Sequence, residues 1–241
     1  MSFYEAGMGR AALVTVAVTV LMLTVGVAST VLAASGKAIL EAKCSGCHSL
    51  TGPAPTTLKG MWERKGPDLF YAGNKYKSEW LESWLQKPKR IRPAGMFYAN
   101  HLKSGEERDL VDTATLKPHT ALSAKEAKAV STVLATFKAK SELIRTGEYK
   151  PGKISMSMGE MLFDKFRGCL ACHQIEPDYG GFSAPEVYTA GERLQEDYLL
   201  SYMRNPKAWD PKAVMPSDYI RERDLQKFVH YLRGLAKEGG E

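Results

Sequence analysis

The sequence predicts an all-α chain in which one N-terminal transmembrane helix precedes two tandem helical domains. Three observations carry that expectation: an uncharged stretch near the N-terminus, a pentapeptide pattern that occurs twice, and a set of spaced residues that recurs after each copy. The chain has 241 residues, 44% hydrophobic and 25% charged, with a formal net charge of +6. That length allows one large or two small domains. The composition excludes a collagen, a wholly disordered chain and a multi-span transporter. Four cysteines are too few for a disulfide scaffold of this size, but enough for paired metal or cofactor sites.

No charged residue lies between Ala11 and Gly36, and the core reads AALVTVAVTVLMLTVGVASTVLAA. A helix of about 20 apolar residues crosses a bilayer. Residues 1–35 are therefore expected to anchor the chain in the cytoplasmic membrane, with Phe3 and Tyr4 at the interface. The alternative is a cleaved secretory signal ending at the small residues Ala33 and Ala34. The stretch is longer than the roughly 7–15 apolar residues such a signal needs. Arg10 before the stretch and Lys37 and Lys43 after it leave the charge rule nearly silent on orientation.

All four cysteines fall in two copies of Cys-x-x-Cys-His: Cys44, Cys47 and His48, then Cys169, Cys172 and His173. This spacing is the pattern of covalent haem c attachment. Two thiols one helical turn apart reach the two vinyl groups on one edge of a porphyrin, and the adjacent histidine turns its imidazole onto the iron. A four-cysteine zinc site or a thioredoxin-like dithiol would use the same cysteines. The zinc site would leave a histidine after each motif without a role, twice, and the motifs lie much farther apart than in a zinc ribbon.

A longer repeat follows the motifs. Gly73 lies six residues after Pro67, and Gly191 six after Pro185. An aromatic residue follows each glycine by seven, Trp80 or Tyr198, and a proline by fifteen, Pro88 or Pro206. The intervening WLESWLQKP and YLLSYMRNP read as amphipathic helices stopped by proline. Beyond each proline comes a methionine, Met96 or Met215. A thioether is a soft ligand that binds haem iron opposite histidine and raises its potential. The assignment is His48 with Met96 for the first haem and His173 with Met215 for the second.

With these motifs in place, the chain from about residue 36 onward resembles class I cytochromes c in a diheme arrangement: two tandem cytochrome c-type haem domains. The resemblance implies two covalently bound haems c. It also implies that Pro67 and Pro185 pack on the haems, their carbonyls orienting the proximal histidines. Haem attachment in that family occurs outside the bacterial cytoplasmic membrane. The haem domains are accordingly expected on the periplasmic or extracellular side, with the N-terminus in the cytoplasm.

The copies differ after the methionine. Met215-Pro216 runs directly into a final helix whose Leu225, Phe228, Val229 and Leu232 share a face. Met96 is followed by a polar insert from Phe97 to Lys117, and then by a helix with a Ser123–Glu126 capping box. Counted back from the helices, Lys117-Pro118 takes the place of Met215-Pro216. Lys117, His119 and His101 are therefore rivals to Met96 at the first iron. His230, in the last helix, reads as structural.

The expected domains are 36–144 and 157–241, joined by a linker at 145–156 rich in Gly, Pro and charge. The second domain is expected to begin at another capping box, Ser157 with Glu160. Charge is uneven. Residues 36–149 carry 19 Lys and Arg against 12 Asp and Glu, whereas 150–241 carry 13 against 14. Lys87, Lys89, Arg90 and Arg92 cluster beside Met96. Such a patch could steer an acidic redox partner or dock on anionic lipid, or it could be a solvated face that also pairs with haem propionates. Nucleic acid is not an expected partner.

The function expected is one-electron transfer between a quinol-oxidising or other membrane redox complex and a downstream acceptor, as a respiratory or photosynthetic subunit. The alternative is a diheme redox enzyme, a peroxidase or a thiosulfate dehydrogenase, with catalysis at the first haem.

Overall fold

The computed structural model describes residues 35–218 and 220–238. The apolar stretch on which the transmembrane helix was expected lies outside the described residues. Among the described residues no helix is long and apolar enough to cross a membrane. The longest, α10 (Glu222–Glu238), buries Leu225, Phe228, Val229 and Leu232 but interleaves them with charge. The chain is also not all-α. Two small antiparallel hairpins interrupt it: β1 (Leu102–Lys103) with β2 (Leu110–Val111), and β3 (Gln174–Glu176) with β4 (Tyr179–Gly180). The hairpins correct the expectation of an all-α chain, whereas the stretch on which the transmembrane helix was expected is not among the described residues. Strands of two or three residues are too short to show the alternation that marks a strand in sequence. The turn of the second hairpin relies on Asp178 at φ 62°, and Gly180, in β4, takes φ 113°.

In the first half, α1 (residues 35–39) tightens into a π-helical turn, Leu40–Cys44. The helices α2 (Leu58–Trp62), α3 (Ala72–Lys75), α4 (Ser78–Gln86) and α5 (Ala124–Leu134) follow. The second half repeats the plan with α6 (Met156–Met161), a π-helical turn (Leu162–Phe166), α7 (Ala190–Arg193), α8 (Glu196–Arg204), α9 (Pro206–Trp209) and α10. In each half the first helix crosses the last so closely that only glycine fits. A Cβ on Gly36 would lie 2.3 Å from the Ala129 carbonyl oxygen, and one on Gly159 2.3 Å from the Tyr231 ring. Both α4 and α8 end two residues before the prolines at 88 and 206, because the residue preceding a proline is pushed out of helical geometry. The Ser123–Glu126 capping box forms as expected. The second domain's first helix instead starts from Ser155, whose side chain accepts from the Met158 N–H, two residues ahead of the predicted cap.

The first core gathers Leu40, Leu69, Leu81, Leu85, Val130 and Leu134. The second gathers Phe163, Leu200, Trp209, Phe228 and Val229, and it also takes in Phe70 and Tyr71 of the first half. The segment read as a linker is docked rather than loose: the Gly147 and Tyr149 N–H groups donate to the Asp197 carboxylate, and Lys150 N–H donates to Gln226.

The halves meet about a pseudo-two-fold relation. Tyr76 and Leu194, equivalent in the repeat, form an antiparallel bridge. Lys77 N–H donates to Arg193 O, and its counterpart Gln195 N–H donates to Lys75 O, both at 3.0 Å. The side chains repeat the symmetry: Lys77 Nζ donates to Gly191 O, and Gln195 Nε2 to Gly73 O. Arg64 closes a further contact, donating to Asp68 and across to Asp210.

Candidate haem sites

Both pentapeptides fold into the same closing turn. His48 N–H donates to Cys44 O at 3.0 Å and His173 N–H to Cys169 O at 3.1 Å. In each site the first cysteine is half-buried and the second exposed, and all four are free thiols. Burial pushes the Cys44 thiol up, and the Cys169 thiol up to about 11. A reactive redox dithiol needs the opposite, a depressed thiol. Among the described residues no group of three or more His, Cys, Asp or Glu side chains is placed to hold a metal ion, so the two pairs do not combine into one zinc site.

The histidines are oriented alike. His48 Nδ1 lies 2.7 Å from Pro67 O, and His173 Nδ1 lies 2.6 Å from Pro185 O. A carbonyl oxygen only accepts, so Nδ1 carries the hydrogen and Nε2 keeps its lone pair. Burial lowers His48 and brings His173 down to about 4, which holds both rings neutral. A neutral imidazole fixed through Nδ1 is what a metal ligand requires. The residues therefore fit haem attachment: two thiols on one turn, an imidazole with a free Nε2, and an apolar core behind it.

The five candidates for the sixth positions of the two sites lie in different surroundings. Met215 packs against the second core. Met96 is half-buried and packs against neither core. His101 turns its Nδ1 to Thr115 Oγ1 at 2.8 Å and stacks its ring over Gly95. Lys117 is exposed. His119 lies beside the first site, its ring centroid 6.1 Å from that of His48 and 4.7 Å from that of Trp84.

Three charged groups belong to the sites without having been singled out by motif. An acid follows each orienting proline, Asp68 or Glu186. Both are buried and paired with a buried arginine, Asp68 with Arg64 at 3.1 Å and Glu186 with Arg193 at 3.6 Å. The repeated Pro-acid pair was a signal that could have found them. Arg92, grouped by sequence with a surface patch, instead lies inward. Its neighbour Ile91 accepts from Glu186 N–H at 2.8 Å, burial pulls the guanidinium down, and the charge of Arg92 reaches His173 of the other half.

No family model, curated protein or solved structure matches the chain.

Proposed function

We propose that the chain is a two-haem electron-transfer protein of the cytochrome c type. The observation that carries this reading is the duplicated pair of Nδ1–H to proline-carbonyl bonds, His48 to Pro67 and His173 to Pro185, each behind a Cys-x-x-Cys turn. When bound, haem would supply a one-electron Fe(II)/Fe(III) couple tuned by axial ligands, burial and hydrogen bonding. Cys44, Cys47, Cys169 and Cys172 would form the thioether links. His48 and His173 present Nε2, and Met215, packed against the second core, would offer its thioether to the second iron. Asp68 and Glu186, each held by a buried arginine, fix the backbone next to the orienting prolines.

The reading places the haem domains outside the cytoplasm, where covalent attachment takes place in the family they resemble. The partners are redox proteins that deliver and accept single electrons, a membrane-bound respiratory complex among them. The excess of positive charge on the first half suits an acidic donor or acceptor. Catalysis at the first haem would need an exchangeable iron position, and His119 beside His48 argues against one.

The test is expression with a haem-attachment system, followed by a haem count after acid–acetone extraction. Two haems per chain should stay bound, and replacing Cys44 and Cys47, or Cys169 and Cys172, by serine should each remove one. A chain that keeps zinc, or that releases its haem on extraction, would refute the reading.

A further inference from the structure

We propose that His119, not Met96, binds the first haem iron opposite His48, so that the first site is bis-histidine and the second histidine–methionine. The inference rests on the two-haem reading above.

Three observations carry it. First, the His48 and His119 ring centroids are 6.1 Å apart with the planes at 56°. Two imidazoles on one metal, with nitrogen–metal bonds of roughly 2 Å and each nitrogen about 1 Å from its ring centre, place their centroids about 6 Å apart. The angle between the planes is then a rotation about the common axis, which ligation permits. Second, His119 Nδ1 bonds the Thr120 carbonyl at 2.9 Å. As at His48, that puts the hydrogen on Nδ1 and leaves the Nε2 lone pair free. Third, the ring is held in place. Trp84 packs against it, is itself stacked on Trp80 at 5.6 Å, and donates its Nε1–H to Lys89 O.

The rivals lack this combination. His101 turns its Cδ2–Nε2 edge onto Gly95, Lys117 is exposed, and Met96 packs against neither core. His230 donates from Nε2 to Lys150 O in the last helix, so it presents the wrong nitrogen in the wrong half.

The consequence is functional. Methionine opposite histidine raises a haem potential relative to a second histidine. The first haem is therefore the low-potential centre and the second the high-potential one. Electrons arrive at the basic first half and leave from the second.

The experiment uses the full chain with both haems attached. In the ferric state the near-infrared charge-transfer band of methionine–iron ligation should report one such haem per chain, and electron paramagnetic resonance one bis-histidine haem. Met96→Leu should leave both signals unchanged, and Met215→Leu should abolish the whole methionine band. His119→Gly should remove the bis-histidine signal, and added imidazole should restore it. Two methionine bands per chain, with one lost in Met96→Leu, would overturn the assignment while leaving the two-haem reading intact. Fewer than two attached haems would overturn the reading itself.

Discussion

Tyr76 and Leu194 hold the same place in the two copies of the repeat and bridge to each other across the interface between the halves. The flanking bonds, Lys77 to Arg193 and Gln195 to Lys75, are likewise made between positions related by the repeat. A contact of this kind is self-complementary, as in a two-fold dimer whose subunits have been fused into one chain. It places α7 and α8 of the second half against α3 and the start of α4 of the first. The segment after Pro88 is thereby brought to the second half's site, where Ile91 accepts from Glu186 N–H and the charge of Arg92 reaches His173.

The interface depends on Arg64. Its guanidinium is almost fully buried and bonds Asp68 within its half at 3.1 Å and Asp210 across at 2.6 Å. Burial pushes the Asp68 carboxyl up even with this partner. Arg64→Met would leave two carboxylates without their cation. Removing one partner of a buried pair costs about 3–5 kcal/mol. Urea unfolding followed by circular dichroism should show a loss of that order. Arg145→Met, at an exposed pair with Glu148, should change stability by under about 1 kcal/mol.

Acid should weaken the first half through Glu126. Lys43 and the Ser123 cap hold its carboxyl down to about 2, below the ordinary 4.5. A carboxylate whose folded pKa is depressed stabilises the fold fully above its unfolded value and loses that contribution as pH falls through the folded one. The loss therefore runs from about pH 4.5 toward about pH 2. Glu126→Gln should flatten the stability profile across that window. A variant profile as steep as the wild type's would show that the cap carries no charge-dependent stability.

Sequence made legible what depends on neighbours along the chain. The Cys-x-x-Cys-His turns, the helix stops before Pro88 and Pro206 and the Ser123 cap are all set by residues a few positions apart. What lies across from His48 is of another kind. It depends on the path of the insert between Met96 and Lys117, where a short hairpin, β1 with β2, turns the chain. Counting residues from either end of that insert favours Met96 or Lys117, whereas its folded course brings His119 to His48. The interface was hidden for a further reason. Its central bonds are backbone to backbone, so they leave no trace in side-chain type. Arg92 misled by proximity, because three exposed-looking basic neighbours made an inward residue resemble part of a patch.

Trp209 ties the second core to the first half. It is fully buried, donates Nε1–H to Ser201 Oγ at 3.0 Å, and packs on Tyr198 of its own half and Tyr71 of the other. Trp209→Ala should cost about 3–5 kcal/mol, the range for truncating a buried aromatic. Because Tyr71 belongs to the first half, both halves should lose stability together. Unfolding monitored separately at each haem should give coincident transitions at a lowered midpoint. A drop confined to the second half would show that the cores are not mechanically joined.

Arg92 tests whether the halves share electrostatics as well as packing. It sits on the first half's loop, yet its charge acts on His173 of the second. Its neighbour Ile91 is tied to Glu186, the acid next to the proline that orients His173. A buried positive charge favours the reduced, less positive state of a nearby haem. At an effective dielectric near 20, a unit charge roughly 10 Å away acts with about 1–2 kcal/mol. Arg92→Gln should therefore lower the potential of the second haem and leave the first nearly unmoved, although the substitution lies in the first half's sequence. Spectroelectrochemical titration of the two-haem chain resolves the two waves. A shift of the first wave alone would place Arg92 with its own half's haem and reverse the prediction.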